Sequence, residues 1–153
     1  MQLSWPILPP PSSTKGQLFT ATLPSGKLHG ALDMGAAGDA VLAAADGTVT
    51  AAGPSGDARG TRVVIDHGEG WETRYYHLAS TRVGRGDVVV AGQQVGVVGA
   101  TGLPKPWPHL HFEVRQGGQP LDPQALLGAS QKKGSPVVGL ALAVGAAWFL
   151  TSL

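Results

Sequence analysis

Short runs in which apolar and polar residues alternate dominate the chain between residues 40 and 115. This period of two is typical of β-strands with one buried face, and the Gly, Pro, Asp and Ser residues between the runs are typical of turns. The pattern predicts strands at 40–44, 47–52, 62–66, 71–77, 88–91, 94–99 and 109–115. The sequence shows no convincing helical periodicity before residue 124, so we predict an antiparallel all-β core.

An internal repeat supports this prediction. The hexapeptide GDAVLA at 38–43 recurs as GDVVVA at 86–91, and each copy is followed by a short Val-containing strand that ends at Gly. This similarity predicts two related β-units. Because about 100 residues support one hydrophobic core and not two, we expect both units to share one domain.

The end of the chain has a different character. Residues 136–153 are an uncharged, apolar stretch of 18 residues, which as an α-helix would extend about 27 Å, close to the hydrocarbon thickness of a bilayer. We predict a C-terminal membrane anchor. Its small-residue face, formed by Gly139, Ala143 and Ala147, could pack copies of the chain into an oligomer. The alternative is a helix buried in a protein assembly.

Composition divides the chain into four segments. Residues 1–27 form a lead segment rich in Pro, Ser and Thr, 28–128 hold the predicted β domain, 129–135 form a linker, and 136–153 form the hydrophobic helix. The opening residues MQLSWP lack the charged region and apolar run of a secretory signal. Lys132 and Lys133 beside the helix would place the domain on the cytoplasmic side by the positive-inside tendency.

Charge and cysteine content exclude several kinds of partner and site. Charged residues make up 14% of the chain and the net charge is +1, so the basic field that nucleic-acid binding requires is missing. The sequence has no cysteine, which excludes disulfides and thiolate-bound zinc. A metal site would therefore use histidine and carboxylate ligands.

Four side chains suggest such a site. His109 and His111 lie two residues apart in a predicted strand, so both imidazoles can enter one pocket. Three protein ligands and an exchangeable water are typical of catalytic zinc. His29 and Asp33 would stand about 13 Å apart in a straight strand, too far to share an ion. Gly30 between them allows the chain to bend.

The surrounding motifs are LHGALDM at 28–34, YYHL at 75–78 and PHLHFEV at 108–114. Further matches are ADGTV at 45–49, GDVV at 86–89, AGQ at 91–93 and LDP at 121–123. In these motifs and their order the chain resembles the lysostaphin-like (LytM-type) zinc endopeptidases, which cut peptide bonds in bacterial peptidoglycan. The resemblance covers residues 28–127.

The resemblance implies a fold, a cofactor and a set of roles. The fold would be an antiparallel two-sheet barrel-sandwich of the duplicated hybrid motif type, and the substrate would be peptidoglycan peptides. The zinc ligands would be His29, Asp33 and His111, and the unligated catalytic residues would be His77 and His109. His67 has no ligand role in the family, and we interpret it as structural.

The chemistry of such a site can be stated for these side chains. Zinc bound by two imidazoles and a carboxylate would polarise a peptide carbonyl and lower the pKa of water toward about 7. His77 and His109 could stabilise the oxyanion or carry a proton to the leaving amine, and the sequence leaves open which residue does which. Glu113 could compete as a base, but a supporting or surface position is the better interpretation. Tyr75 could orient His77 or bind substrate, although packing is the commoner role of a strand aromatic residue.

Departures from the family pattern concern the substrate more than the metal. Ala31 stands where Gly is commoner, and residues 21–27 replace the usual Arg-containing segment. Trp107 also stands where Gly is usual, and its indole could narrow the groove or stack on a substrate peptide. Which peptide bond is cleaved therefore stays open.

Two other function classes stay open as well. A non-catalytic structural or regulatory module of the same fold would usually lack a ligand, and this chain has all three. A lipoyl- or biotinyl-type carrier needs a modifiable Lys at a hairpin tip, and the turns at 45–47 and 92–94 contain none.

The predicted orientation raises a question of location. A domain on the cytoplasmic side conflicts with a wall substrate. A phage-encoded or virion-associated enzyme would resolve the conflict, and so would export by a route that the sequence does not display. The predicted location is therefore the membrane or a virion.

Overall fold

The computed structural model describes residues 1–8, 19–23, 25–104 and 107–128. Within these ranges the chain forms nine strands and one short helix. They are β1 (Leu32–Met34), β2 (Ala40–Leu42), β3 (Gly47–Pro54), β4 (Thr61–Gly68), β5 (Trp71–Thr81), β6 (Val88–Val89), β7 (Gln94–Val98), β8 (Leu110–Gln116), β9 (Gln119–Leu121) and α1 (Pro123–Leu126). All pairings between these strands are antiparallel. The prediction of an antiparallel β domain is confirmed.

Each of the predicted strands is present, and β3, β4 and β5 extend further than predicted. Strands β1 and β9 are not predicted by the sequence pattern. Both have three residues, which is too short to show a period of two.

Strand β5 joins the two halves of the sheet. It pairs with β4 and with β8 along most of its length. Near its C-terminal end it also pairs with β7, where the register shifts between Leu78 and Ser80. Strand β7 in turn pairs with β2. Because β5 is hydrogen-bonded to strands of both halves, the nine strands belong to one connected sheet. The predicted division into two sheets of a barrel-sandwich is not confirmed.

Alternation in β8 separates the core from a polar face. Leu110, Phe112 and Val114 are fully buried in the hydrophobic core. The residues between them, His111 and Glu113, therefore project from the other side of the strand. The same alternation that builds the core thus directs a histidine and a carboxylate toward the site described below.

The first eight residues pack against this core. Leu3 and Ile7 are buried, and Leu3 forms an isolated bridge with Leu127. The indole Nε1 of Trp5 donates to the carbonyl of Gly128 at 2.9 Å. Residues 1–8 of the predicted lead segment are therefore part of the packed domain.

The predicted linker at 129–135 and hydrophobic helix at 136–153 lie outside the described residues. The predicted oligomer face at Gly139, Ala143 and Ala147 lies there too. Within the described part of the chain, no helix combines the length and the apolar character needed to cross a bilayer.

Tyr75 lies at the centre of a buried polar network. Its side chain is fully buried, and its hydroxyl accepts from the Ala44 N–H at 2.9 Å and is hydrogen-bonded to Thr73 Oγ1 at 3.0 Å. Thr73 is bonded in turn to Nε2 of His67, whose Nδ1 donates to the Asp46 carbonyl. Burial raises the pKa of Tyr75 to about 12, against the opposing effect of these bonds. The contacts agree with a structural role for His67.

We expect Tyr75→Phe to lower the free energy of unfolding by about 1–3 kcal/mol, because it leaves the buried N–H of Ala44 without its acceptor and removes one of the two hydrogen bonds of Thr73. Denaturant unfolding of the purified protein measures the effect. Tyr76→Phe is the matched control, because the Tyr76 hydroxyl has a longer contact, 3.5 Å to Arg74 Nη1. Equal losses in the two variants would contradict the assignment of Tyr75 to the network.

Candidate metal centre

Three neighbouring strands bring the central residues of the site into one row. Asp33 of β1 pairs with His111 of β8, and His111 pairs with Tyr76 of β5. Leu32 and Met34 on either side of Asp33 are fully buried in the core, so Asp33 projects from the opposite face. Directly opposed residues of antiparallel strands have Cβ atoms about 4.5–5.5 Å apart. Side chains in this row can therefore contact one another.

His29 reaches the same row because the chain bends before β1. Gly30 has a φ of 71°, in the left-handed region that glycine adopts without steric cost. His29 Nδ1 lies 3.1 Å from the Ala31 carbonyl and donates to it, so Nε2 is directed toward Asp33. The predicted bend at Gly30 is confirmed.

The three predicted ligand atoms form a compact triangle. Asp33 Oδ1 lies 3.3 Å from His29 Nε2 and 3.1 Å from His111 Nδ1. The two nitrogens are 3.2 Å apart. Zinc bonds of about 2.0–2.1 Å in a tetrahedral site imply ligand separations of about 3.3 Å. The donor set and its spacing therefore fit a zinc ion.

His77 joins the site through a break in strand alternation. In a regular strand it would share the core face with Tyr75. The register between β4 and β5 shifts opposite this point, and His77 has a φ of 64°, a conformation that costs a non-glycine residue energy. Its ring centroid lies 5.0 Å from that of His109 and 5.7 Å from that of His111. The bulge thus places His77 beside the predicted metal ligands.

Two loops hold His77 in this conformation. Its backbone N–H donates to the Arg59 carbonyl at 3.0 Å, and its Nδ1 donates to the Thr101 carbonyl at 2.9 Å. The loops carrying Arg59 and Thr101 approach so closely that a Cβ on Gly60 would lie 2.3 Å from the Thr101 carbonyl oxygen. Glycine at position 60 is therefore required for the contact that holds His77.

His109 completes the cluster. Its Nδ1 donates to the Trp107 carbonyl at 2.8 Å, and its Nε2 lies 3.7 Å from Asp33 Oδ2. His77, His109 and His111 also lie close enough together to hold a metal. We prefer the set with Asp33 because its carboxylate offsets the charge of a cation, and because His111 Nδ1 already lies 3.1 Å from Asp33.

The charges of the site depend on one another. Burial alone would raise the pKa of Asp33, but hydrogen bonds from His111 and His29 outweigh it and hold that pKa well below its usual range. Burial alone would lower the pKa of His111, but its bonds to Asp33 and Glu113 raise it to about 9. At His77 burial prevails and the pKa is lowered. A neutral His77 beside an ionised Asp33 suits proton transfer near neutral pH.

Two adjacent tyrosines of β5 lie on opposite faces of the strand. Tyr75 is fully buried with its hydroxyl bonded inside the core, so its side chain does not reach a substrate. Tyr76 lies on the site face, and its ring centroid is 5.6 Å from that of His111. The Arg59 guanidinium lies 6.0 Å from the Tyr76 centroid. Tyr76 is buried as well. Its position beside His111 depends on the register of β5 and β8, which the sequence alone does not give.

Trp107 lies where a substrate could meet it. Its side chain is 48% exposed, and its ring centroid is 4.5 Å from that of His109. An exposed indole beside His109 is consistent with the predicted contact to a substrate peptide, which stays a prediction.

Comparison with known proteins identifies similar sequences and structures. A model of Peptidase family M23 matches residues 27–123. The DD-carboxypeptidase/endopeptidase Mpg of Neisseria meningitidis serogroup B is 40% identical over 113 residues, which are 73% of this chain and 26% of that protein. This chain thus spans about a quarter of that curated relative.

Two solved catalytic domains have a similar structure. That of the antimicrobial peptidase lysostaphin from Staphylococcus simulans has a TM-score of 0.63 at 28% identity, with 72% of this chain and 88% of that domain covered. That of the prophage-encoded M23 protein EnpA from Enterococcus faecalis has a TM-score of 0.63 at 30% identity, with 72% and 87% covered. The similarity therefore extends over most of each catalytic domain.

We expect one zinc ion per chain, and a large loss of zinc in each of His29→Ala, Asp33→Ala and His111→Ala, because each removes one corner of the triangle. His77→Ala and His109→Ala should retain zinc near the wild-type level. Metal analysis after dialysis measures both. Loss of zinc in His77→Ala and His109→Ala, with retention in His29→Ala and Asp33→Ala, would assign the metal to the other histidine group.

Proposed function

The chain belongs to peptidase family M23, and from this premise we propose that it is a zinc-dependent endopeptidase that hydrolyses peptide cross-links of bacterial peptidoglycan. The observation that carries the proposal is the triangle of His29, Asp33 and His111, with two further histidines beside it. A metal site with spare acid–base groups at its edge is the arrangement that metal-assisted hydrolysis requires.

The chain's own residues have separable roles in this proposal. Zinc, when bound, supplies a Lewis acid that polarises a peptide carbonyl and acidifies water. His77 and His109 each donate Nδ1–H to a backbone carbonyl, so the Nε2 atoms face the cluster. There they can accept a proton, return it to the leaving amine, or hydrogen-bond the developing oxyanion.

The names of similar proteins support a substrate class for this chain. The meningococcal relative carries the name DD-carboxypeptidase/endopeptidase, which favours links between D-amino acids in this chain's substrate. The lysostaphin neighbour is described as an antimicrobial peptidase, and that description names no cross-link, so glycyl bridges stay open as the alternative. Digestion of two purified wall preparations distinguishes these cross-links: one with direct D-alanyl-diaminopimelate links and one with glycyl bridges. The released fragments are identified by mass.

Chelation provides the direct test of zinc dependence. We expect a strong chelator to abolish release of wall fragments and added Zn²⁺ to restore it. A chain that binds wall fragments but never cleaves them, with zinc loaded, would instead support the non-catalytic structural or regulatory module.

We expect His77→Ala and His109→Ala to lower cleavage by about 10²–10⁴-fold, the usual effect of losing one positioned acid–base group. Initial rates of fragment release from zinc-loaded variants measure this. His67→Ala is the control, because His67 is bonded to Thr73 and Asp46 in a separate network. Wild-type rates in both site variants would remove these histidines from the reaction.

We propose that residues 136–153 attach the enzyme to a membrane, on the basis of their length and apolar composition. Deleting them should move the protein from the detergent-requiring fraction to the soluble fraction without changing zinc content. Ala143→Arg should weaken insertion, because a charge at mid-bilayer costs about 2.5–3.5 kcal/mol on insertion scales.

The alternative proposal is that the enzyme is phage-encoded or virion-associated. It is supported by one structural neighbour that is a prophage-encoded protein. A full-length chain that is soluble without detergent, or that copurifies with a lipid-free particle, would show that the segment is an assembly element and not a membrane anchor.

A further inference from the structure

The histidines of the site are held in two different ways. Three of them donate Nδ1–H to a backbone carbonyl and direct Nε2 toward the site: His29 to Ala31, His77 to Thr101 and His109 to Trp107. His111 is reversed, because its Nδ1 lies against Asp33 and its Nε2 lies 3.2 Å from Glu113 Oε1. Its orientation therefore depends on a side chain and not on the backbone.

The hydrogen atom on His111 must be on Nε2 when Nδ1 binds a metal. A neutral imidazole has one donor and one acceptor nitrogen, and only the nitrogen without hydrogen can be a ligand. Nε2–H then needs an acceptor in a partly buried position, and the Glu113 carboxylate is at the required distance. Arg115 Nε holds the other carboxylate oxygen at 2.9 Å, so Glu113 is fixed at both ends.

We propose that Glu113 is a positioning residue for His111: its carboxylate, held by Arg115, keeps the imidazole in the form that presents Nδ1 to the metal. The proposal rests on the zinc site assigned above and adds a residue to it. In this proposal Glu113 is not the catalytic base. The Glu113 carboxylate contacts His111 at Nε2, whereas Asp33 and His29 lie at Nδ1 on the other side of the ring.

The sheet contains a matched control for this arrangement. Glu72 and Arg74 on β5 repeat the same i, i+2 pair and lie directly opposite Arg115 and Glu113 on β8. The side chains of Glu72 and Arg74 are 29% and 25% exposed. The contact that distinguishes Glu113 from Glu72 is the one to His111 Nε2.

The test compares zinc affinity of the full chain in competition with a chromogenic chelator. We expect Glu113→Ala to bind zinc about 10–100-fold more weakly, as is typical when the partner of a metal-bound histidine is removed. Glu113→Gln, whose amide oxygen can still accept from Nε2–H, should recover most of that loss. Glu72→Ala should bind like the wild type. Where Glu113→Ala is too unstable to purify, Glu113→Leu, of similar size without an acceptor, replaces it.

A second measurement shows which nitrogen of the His111 ring carries the hydrogen. Long-range ¹H–¹⁵N spectra of the zinc-bound protein should show His111 with hydrogen on Nε2 in the wild type, and this signal should be lost or shifted in Glu113→Ala and unchanged in Glu72→Ala. Zinc affinity within twofold of wild type in Glu113→Ala, or an unchanged His111 spectrum, overturns the proposal. A wild-type chain that binds no zinc overturns the proposed function as well, so the two failures are distinguishable.

Discussion

The cross-strand pairing of Asp33 with His111 is the constraint on which the site depends. Strand β1 has three residues, and its register against β8 places one carboxylate beside one imidazole while both flanking residues, Leu32 and Met34, are buried in the core. A slip of one residue would exchange these faces and bury the carboxylate among apolar side chains. The burial of Leu32 and Met34 in the hydrophobic core therefore determines on which face of the sheet the predicted metal ligand Asp33 lies.

Alternation over five or more residues predicted the longer strands, and the spacing in His-x-His placed His109 and His111 together. The full set with His29, Asp33 and His77 was implied by the family resemblance. Sequence patterns could not predict where alternation fails. Regular alternation places Tyr75 and His77 on one face, but the bulge and the φ of 64° at His77 separate them. Tyr75 then lies in the core and Tyr76 beside His111. The buried position of Tyr75 agrees with the packing role that the sequence favoured and does not support its alternative role as a substrate contact. The single connected sheet has the same origin, since β5 continues past that irregularity to pair with β7.

Beyond the ligands, the polar face of β5 and β8 is balanced in charge. Glu72 lies opposite Arg115 and Arg74 opposite Glu113, so each carboxylate faces a guanidinium across the strands as well as along its own strand. Opposite charges in such pairs stabilise the sheet modestly. The two carboxylates and two guanidiniums cancel in charge, so this part of the strand face adds no net charge beside the site.

The site combines strain with rigid support. His77 adopts a backbone conformation that costs energy of the order of 1–3 kcal/mol, and it persists because two carbonyls, those of Arg59 and Thr101, hold its backbone and its ring. Gly60 permits those loops to touch. In the proposed reaction, a histidine fixed in this way would lose little freedom on substrate binding, and its Nε2 would need no reorientation. The energy cost at His77 is thus offset by contacts elsewhere in the domain, and these contacts fix the imidazole in the position that the proposed proton transfer requires.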